Sequence, residues 1–128
     1  LIIDSSAVVA ILLQESGAEE LLSAILDADF AGIGAPTAAE TGLVLTSRFE
    51  KNATGLLLRF FEETGIEIVP FTNLHWQRAV DAYGRFGKGR HPAALNFGDC
   101  MTYAIAAMAG QPLLCRGDDF RKTDLQLV

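Results

Sequence analysis

Leu1-Ile2-Ile3-Asp4-Ser5-Ser6-Ala7-Val8-Val9-Ala10 opens the chain, and its reading decides the fold class. A short apolar run closed by an acid and two hydroxyl residues reads as a buried strand feeding a helix. In an open α/β sheet that junction lies at the carboxyl end of a strand, where ligands bind. Three other places put acids in comparable settings: Glu40, Asp99 and the adjacent pair Asp118 and Asp119. Four carboxylate positions converging on one sheet edge would repel one another without a divalent cation among them. Hard oxygen ligands of this kind suit magnesium, with manganese as a substitute.

Working outward, Ala7 to Leu13 reads as a short helix, and after Ser16-Gly17 helical spacing resumes from Ala18 to Asp27. Phe30 to Gly34 is a weak strand. Pro36 suits the first turn of a helix that carries Glu40 and runs to about Phe49. Asn52-Ala53-Thr54 starts a further helix, with Leu56, Leu57, Phe60 and Phe61 at helical spacing, which stops at Gly65. Glu67 to Pro70 reads as a strand, and Thr72 or Asn73 caps the next helix. That helix breaks at Gly84, where Gly84-Arg85-Phe86-Gly87-Lys88-Gly89-Arg90-His91-Pro92 packs three glycines, three cations and a histidine into one loop. A last helix begins near Asn96 or Gly98 and ends at Gly110. Pro112 to Cys115 is a strand, Gly117 to Phe120 a turn or short helix, and Leu125 to Val128 a possible final strand. Strands alternating with helices predict a central parallel sheet with helices on both faces, in three layers. We see no repeat or linker, so residues 1–128 read as a single domain.

The chain has 128 residues, of which 50% are hydrophobic, with a net charge of −6. Taken alone, that charge argues against nucleic acid, because phosphate binding rests on basic surface. The objection weakens where a metal ion is the largest local positive charge. Cys100 and Cys115 have no partner at zinc-ligand spacing and read as core thiols of a reducing cytoplasm. The apolar start carries Asp4 and lacks a basic leader, which argues against a signal peptide. A chain opening at Leu1 without a Met leaves the native N-terminus open. The longest apolar stretch, around Ala104 to Ala109, is too short for a membrane span.

Each acid also has an ordinary explanation. Asp4 reads equally as a helix cap, although Ser5 and Ser6 could cap as well. Glu40 could be a solvated helical Glu, but small neighbours at Ala38, Ala39, Thr41 and Gly42 point it into a cleft. Asp99 could be a first-turn acid favoured by the helix dipole, yet its helix is strongly apolar and central. Asp118 and Asp119 are adjacent and cannot both face one way, which leaves open which of them reaches a metal. Asp124 reads as a turn or cap residue.

Jointly, the chain resembles a known family, the PIN-domain ribonucleases, and within it the VapC-type toxins of bacterial toxin–antitoxin pairs. The resemblance is carried by Ile3-Asp4-Ser5-Ser6-Ala7, by Pro36-Thr37-Ala38-Ala39-Glu40 and by Tyr83-Gly84 through Gly87-Lys88-Gly89-Arg90-His91-Pro92. It continues through Leu95-Asn96-Phe97-Gly98-Asp99-Cys100-Met101-Thr102-Tyr103-Ala104, Gly110-Gln111-Pro112-Leu113-Leu114, Gly117-Asp118-Asp119-Phe120 and Thr123-Asp124. It implies that Asp4 and Asp99 are the principal magnesium ligands and Glu40 the second family acid. Asp119 best matches the fourth acid, with Asp118 as the fallback, and Ser6 matches a small polar position that steadies the site. It further implies an RNA substrate, silencing by a VapB-like antitoxin, and a homodimer in many members.

The expected chemistry is metal-assisted hydrolysis of an RNA phosphodiester, leaving a 5′-phosphate and a 3′-hydroxyl. Arg85, Lys88, Arg90 and His91 are expected to meet phosphates, against a plain exposed turn as the ordinary reading. Phe86 reads equally as a base-stacking residue or a buried anchor. A phosphate-binding loop fails, because Ala82 and Gly89 stand where Gly and Ser or Thr are needed. A dinucleotide fingerprint from Gly32 fails at Thr37. The rival from another class is a non-catalytic α/β interaction or signalling module whose acids hold one structural metal.

Overall fold

The computed structural model describes residues 1–128. Four short strands form one sheet: β1 (Ile2–Ile3), β2 (Gly32–Gly34), β3 (Glu67–Val69) and β4 (Leu113–Leu114). Their order is β3-β2-β1-β4, and every pairing is parallel. Six helices complete the fold: α1 (Ser5–Leu12), α2 (Ala18–Asp27), α3 (Ala35–Phe49), α4 (Thr54–Thr64), α5 (Asn73–Phe86) and α6 (Phe97–Ala109). The order places β1 between its successor β2 and the last strand, β4. The direction of winding therefore reverses at β1, and in parallel sheets the crevice for a ligand forms beyond the carboxyl ends at such a reversal.

The layers follow from strand alternation. Neighbouring residues of a strand point to opposite faces. Ile3 and Leu114 enter one apolar core with Val8, Ile25, Ile33, Leu45, Leu57 and Phe60, contributed by α1 to α4 and β2. Ile2 and Leu113 enter a second core with Ala79, Phe86, Leu95, Tyr103, Ile105 and Phe120, built largely on α5 and α6. The expected three-layer arrangement with a central parallel sheet is the one found. Gly34 lets β2 approach α6 closely, since a Cβ there would meet Ile105 Cγ1 at 2.7 Å.

Strands β2 and β4 are shorter than the sequence reading has them, and three further differences have a physical reason. Helix α1 starts at Ser5 rather than Ala7, because Asp4 itself is the cap. Helix α5 runs through Gly84 to Phe86. A helical glycine costs about 1 kcal/mol relative to Ala, whereas burying a Phe side chain is worth about 1.5–3 kcal/mol. Phe86 is 8% exposed, so its burial outweighs the penalty; it is an anchor and not a free stacking surface. Leu125 to Val128 forms no strand of its own and makes a single parallel bridge between Leu127 and Leu113. No helix is long and apolar enough to cross a membrane, and both cysteines are free.

Candidate active site

Asp4 leaves β1 as its backbone N–H donates to the Leu114 carbonyl at 2.9 Å. The residue is 6% exposed. Its Oδ2 accepts from the Ser6 backbone N–H at 3.1 Å and from Ser6 Oγ at 2.6 Å, and its Oδ1 accepts from Thr102 Oγ1 at 3.0 Å. Capping and placement at the strand end are therefore two aspects of one arrangement. Ser6 Oγ also accepts from the Arg116 backbone N–H at 3.0 Å, which ties the exit of β1 to the exit of β4.

Glu40 lies in the second turn of α3 and is half-buried. Its Oε1 accepts from Ser5 Oγ at 2.8 Å. The second carboxylate oxygen lies against Gly98, where an added Cβ would collide with it. Gly98 is thus the residue that lets the start of α6 come down on Glu40. Next to it, Asp99 closes a reciprocal cap with Asn96: the Asp99 N–H donates to Asn96 Oδ1 at 2.9 Å, and the Asn96 N–H donates to Asp99 Oδ2 at 3.0 Å.

The electrostatics show which acids face one another. Burial pushes the Asp99 carboxyl up to about 6, against the opposing pull of its backbone hydrogen bond. The negative charges of Asp119, Asp4 and Glu40, in that order, raise it further. Burial likewise pushes the Cys115 thiol up to about 11, with Asp4 and Asp119 adding to it. Asp118 instead pairs with Arg121, Oδ1 to Nε at 2.9 Å. Of the adjacent pair, Asp119 is the acid that acts most strongly on Asp99. As the side chains stand, no three His, Cys, Asp or Glu groups are spaced to grip one ion. Glu40 and Asp99 each turn an oxygen to a donor of the protein.

The basic loop is a closed structure. Gly87 bridges to Leu95, the Lys88 N–H donates to the Leu95 carbonyl at 3.0 Å, and the Leu95 N–H donates to the Phe86 carbonyl at 2.9 Å. Lys88 and Arg90 are exposed, with the Arg90 guanidinium 5.4 Å from the centre of the Tyr83 ring. His91 Nδ1 accepts from the Ala93 N–H at 3.0 Å. Arg85 differs from the other cations: it pairs with Asp124 at 3.0 Å and donates to the Tyr103 hydroxyl at 3.3 Å. Asp124 also accepts from Tyr103 Oη at 2.7 Å, and these bonds hold its carboxyl below the ordinary range. Asp124, read as a turn residue, fastens the C-terminal segment to α5 and α6.

Two residues of the site escaped the sequence reading. Thr37 and Thr102 are 2% and 1% exposed, and their hydroxyls are 2.9 Å apart. The available signal was spacing: Thr37 stands three residues before Glu40 and Thr102 three after Asp99, and residues three apart share a helix face.

A family model for the PIN domain matches residues 1–125. The chain belongs to the PIN-domain family. Ribonuclease VapC36 of Mycobacterium tuberculosis is 45% identical over 127 residues, covering 98% of this chain and 91% of the relative. Ribonuclease VapC of Mycolicibacterium smegmatis is 40% identical over 128 residues, covering 100% and 99%. Among solved structures, Mycobacterium tuberculosis VapC20, described as a sarcin-ricin loop cleaving toxin, matches with a TM-score of 0.78 at 15% identity. That match covers 99% of this chain and 97% of the other. A toxin–antitoxin complex from Klebsiella pneumoniae matches with a TM-score of 0.74 at 16% identity, over 99% and 95%. At such identities the two structures speak for the PIN fold alone.

Asp99 links this geometry to stability. Its folded value of about 6 lies above the ordinary 3.8, so between these values the folded chain holds a proton that the unfolded chain has lost. Stability then falls as pH rises through that window. In metal-free buffer, Asp99→Asn should flatten this part of the stability–pH curve and raise the melting temperature at pH 7. Thermal unfolding of both proteins from pH 4 to 7 checks this, and a wild-type curve matching the variant's would contradict it.

Proposed function

We propose that residues 1–128 form one nuclease unit, a divalent-cation-dependent endoribonuclease acting as the toxin of a toxin–antitoxin pair. The observation that carries this reading is the meeting of Asp4, Glu40, Asp99 and Asp119 at the carboxyl edge of the sheet, where Asp99 feels the other three. Relatives at 45% and 40% identity that are named VapC ribonucleases support it. The donor set fits a hard cation: it is all carboxylate oxygen, and its mutual repulsion is what a doubly charged ion relieves. Asp4, Asp99, Glu40 and Asp119 would hold magnesium, with manganese as substitute, and Asp118 stands by through its pair with Arg121. When bound, such an ion supplies Lewis-acid polarisation of a phosphoryl oxygen and lowers the pKa of water near it.

The chain's own residues do the positioning. Ser6 and Thr102 hold the Asp4 carboxylate, Ser5 orients Glu40, and Asn96 orients Asp99. Lys88, Arg90 and His91 lie on the loop that ends at Asn96, three residues before Asp99, and are proposed to meet phosphates of the RNA. Because a backbone N–H donates to His91 Nδ1, the neutral ring carries its proton on Nε2, which is then a donor. Arg85 anchors the base of this loop through Asp124. The products are a 5′-phosphate and a 3′-hydroxyl.

A VapB-like antitoxin and a second copy of this chain are the proposed protein partners, in the cytoplasm. Exposed Trp76, Val80, Tyr83 and Phe97 on α5 and α6 line one apolar face of the kind partners cover. By contrast, Leu57, Phe60 and Phe61 of α4 are committed to the core.

Asp4→Asn and Asp99→Asn should each lower magnesium-dependent RNA cleavage by at least about a hundredfold, the loss of a few kcal/mol from the transition state. Gel analysis of RNA products, with circular dichroism as the check on folding, measures this. Folded variants that cut as fast as wild type would refute the site, and magnesium binding without cleavage of any RNA would favour the interaction module. Gly98→Ala gives a sharper separation. Its methyl group would displace only the flexible end of Glu40, so stability should hold or rise slightly while cleavage falls about tenfold or more. Equal activity with equal stability would show that the position of Glu40 is immaterial.

A further inference from the structure

The pair Thr37 and Thr102 has a direction that chemistry dictates. An ionised carboxylate only accepts hydrogen bonds, so Thr102 Oγ1 donates its single proton to Asp4 Oδ1 at 3.0 Å. At 2.9 Å from Thr37 Oγ1, Thr102 must then accept, and Thr37 donates. The Thr37 carbonyl in turn receives the Thr41 hydroxyl at 2.7 Å. The result is an ordered chain, Thr37 to Thr102 to Asp4, running from α3 through α6 to the end of β1. These are the three elements that carry Glu40, Asp99 and Asp4.

The count of lone pairs sharpens the point. Asp4 Oδ2 already accepts two hydrogen bonds, both from Ser6. Oδ1 accepts one, from Thr102, and keeps one acceptor direction. A neutral hydroxyl pair this deeply buried also costs stability unless both members are bonded, and here each is.

We propose that Thr102, backed by Thr37, is a positioning residue that sets the rotation of the Asp4 carboxylate, so that the remaining acceptor direction of Oδ1 is presented to a divalent cation. This rests on the reading of Asp4 as a cation ligand. Groups that hydrogen-bond a ligating carboxylate typically change metal affinity tenfold to a hundredfold when removed. Thr102→Val keeps the shape and removes the donor. Thr102→Ser keeps the donor. Thr37→Val leaves every direct partner of Asp4 in place and frees the Thr102 hydroxyl to rotate.

The test is manganese binding by the purified full chain, followed by electron paramagnetic resonance, with thermal unfolding in metal-free buffer as the record of folding. Thr102→Val should weaken binding about tenfold or more, and Thr102→Ser should stay close to wild type. Thr37→Val should fall between them, and it remains informative should Thr102→Val fail to fold. The double Val variant should bind no more weakly than Thr102→Val alone, because both substitutions break one chain. If folded Val variants bind manganese as tightly as wild type while Asp4→Asn does not, the role of Thr102 is overturned and the cation site stands. If wild type binds no tighter than Asp4→Asn, the cation reading itself falls and the proposal falls with it.

Discussion

Like charges held together against their repulsion are the constraint on which the structure turns. Asp4, Glu40, Asp99 and Asp119 come from four separate stretches of sequence; burial is the main reason the Asp99 carboxyl is pushed up to about 6, and the charges of the other three raise it further. A fold that gathers acids in this way gives up stability at the spot. The surrounding architecture offsets it: two apolar cores grip the sheet from either side, and buried Ile2, Ile3, Leu113 and Leu114 anchor β1 and its neighbour β4. On the proposed reading, the gathered carboxylates are complementary to a doubly charged cation, which relieves their repulsion.

How the acids are held follows from the winding of the sheet. The strand order reverses at β1, so the exits of β1 and β4 lie side by side. Ser6 joins them through one hydroxyl, donating to Asp4 and accepting from the Arg116 N–H. Helix α3 brings Glu40 to this edge, and Gly98 lets α6 settle against it. The loop carrying Asp119 is held on its far side by Phe120, 1% exposed, and by Asp124 in its bonds to Tyr103 and Arg85. Precision at the site therefore comes from helix ends and strand ends, with loops pinned on both sides.

Much of this is legible in the chain itself. Asp4 stands out because a short apolar run ending in an acid places it at a strand exit, whether or not it also caps the next helix, and Asp99 because an acid opening an apolar helix needs an explanation. Glu40 follows from its small neighbours. The choice between Asp118 and Asp119 is not legible, since it depends on a turn that sends Asp118 to Arg121. Thr37 and Thr102 pass unnoticed in apolar helices, where a threonine reads as filler until its partner across the fold is known. Arg85 reads as a free cation beside Lys88 and Arg90, and only the path of the C-terminal segment reveals Asp124 opposite it. Gly84 reads as a helix stop, and the burial of Phe86 two residues later overrides it. In each of these cases the deciding contact is distant in sequence.

On the proposed reading, these carboxylates jointly hold a doubly charged ion. Anomalous diffraction from crystals of the protein grown with manganese tests it most directly. We expect a peak bounded by Asp4 and Asp99, with Glu40 and Asp119 in direct or water-bridged reach. A manganese-saturated crystal with no peak at that edge of the sheet, or with peaks only elsewhere, would contradict it.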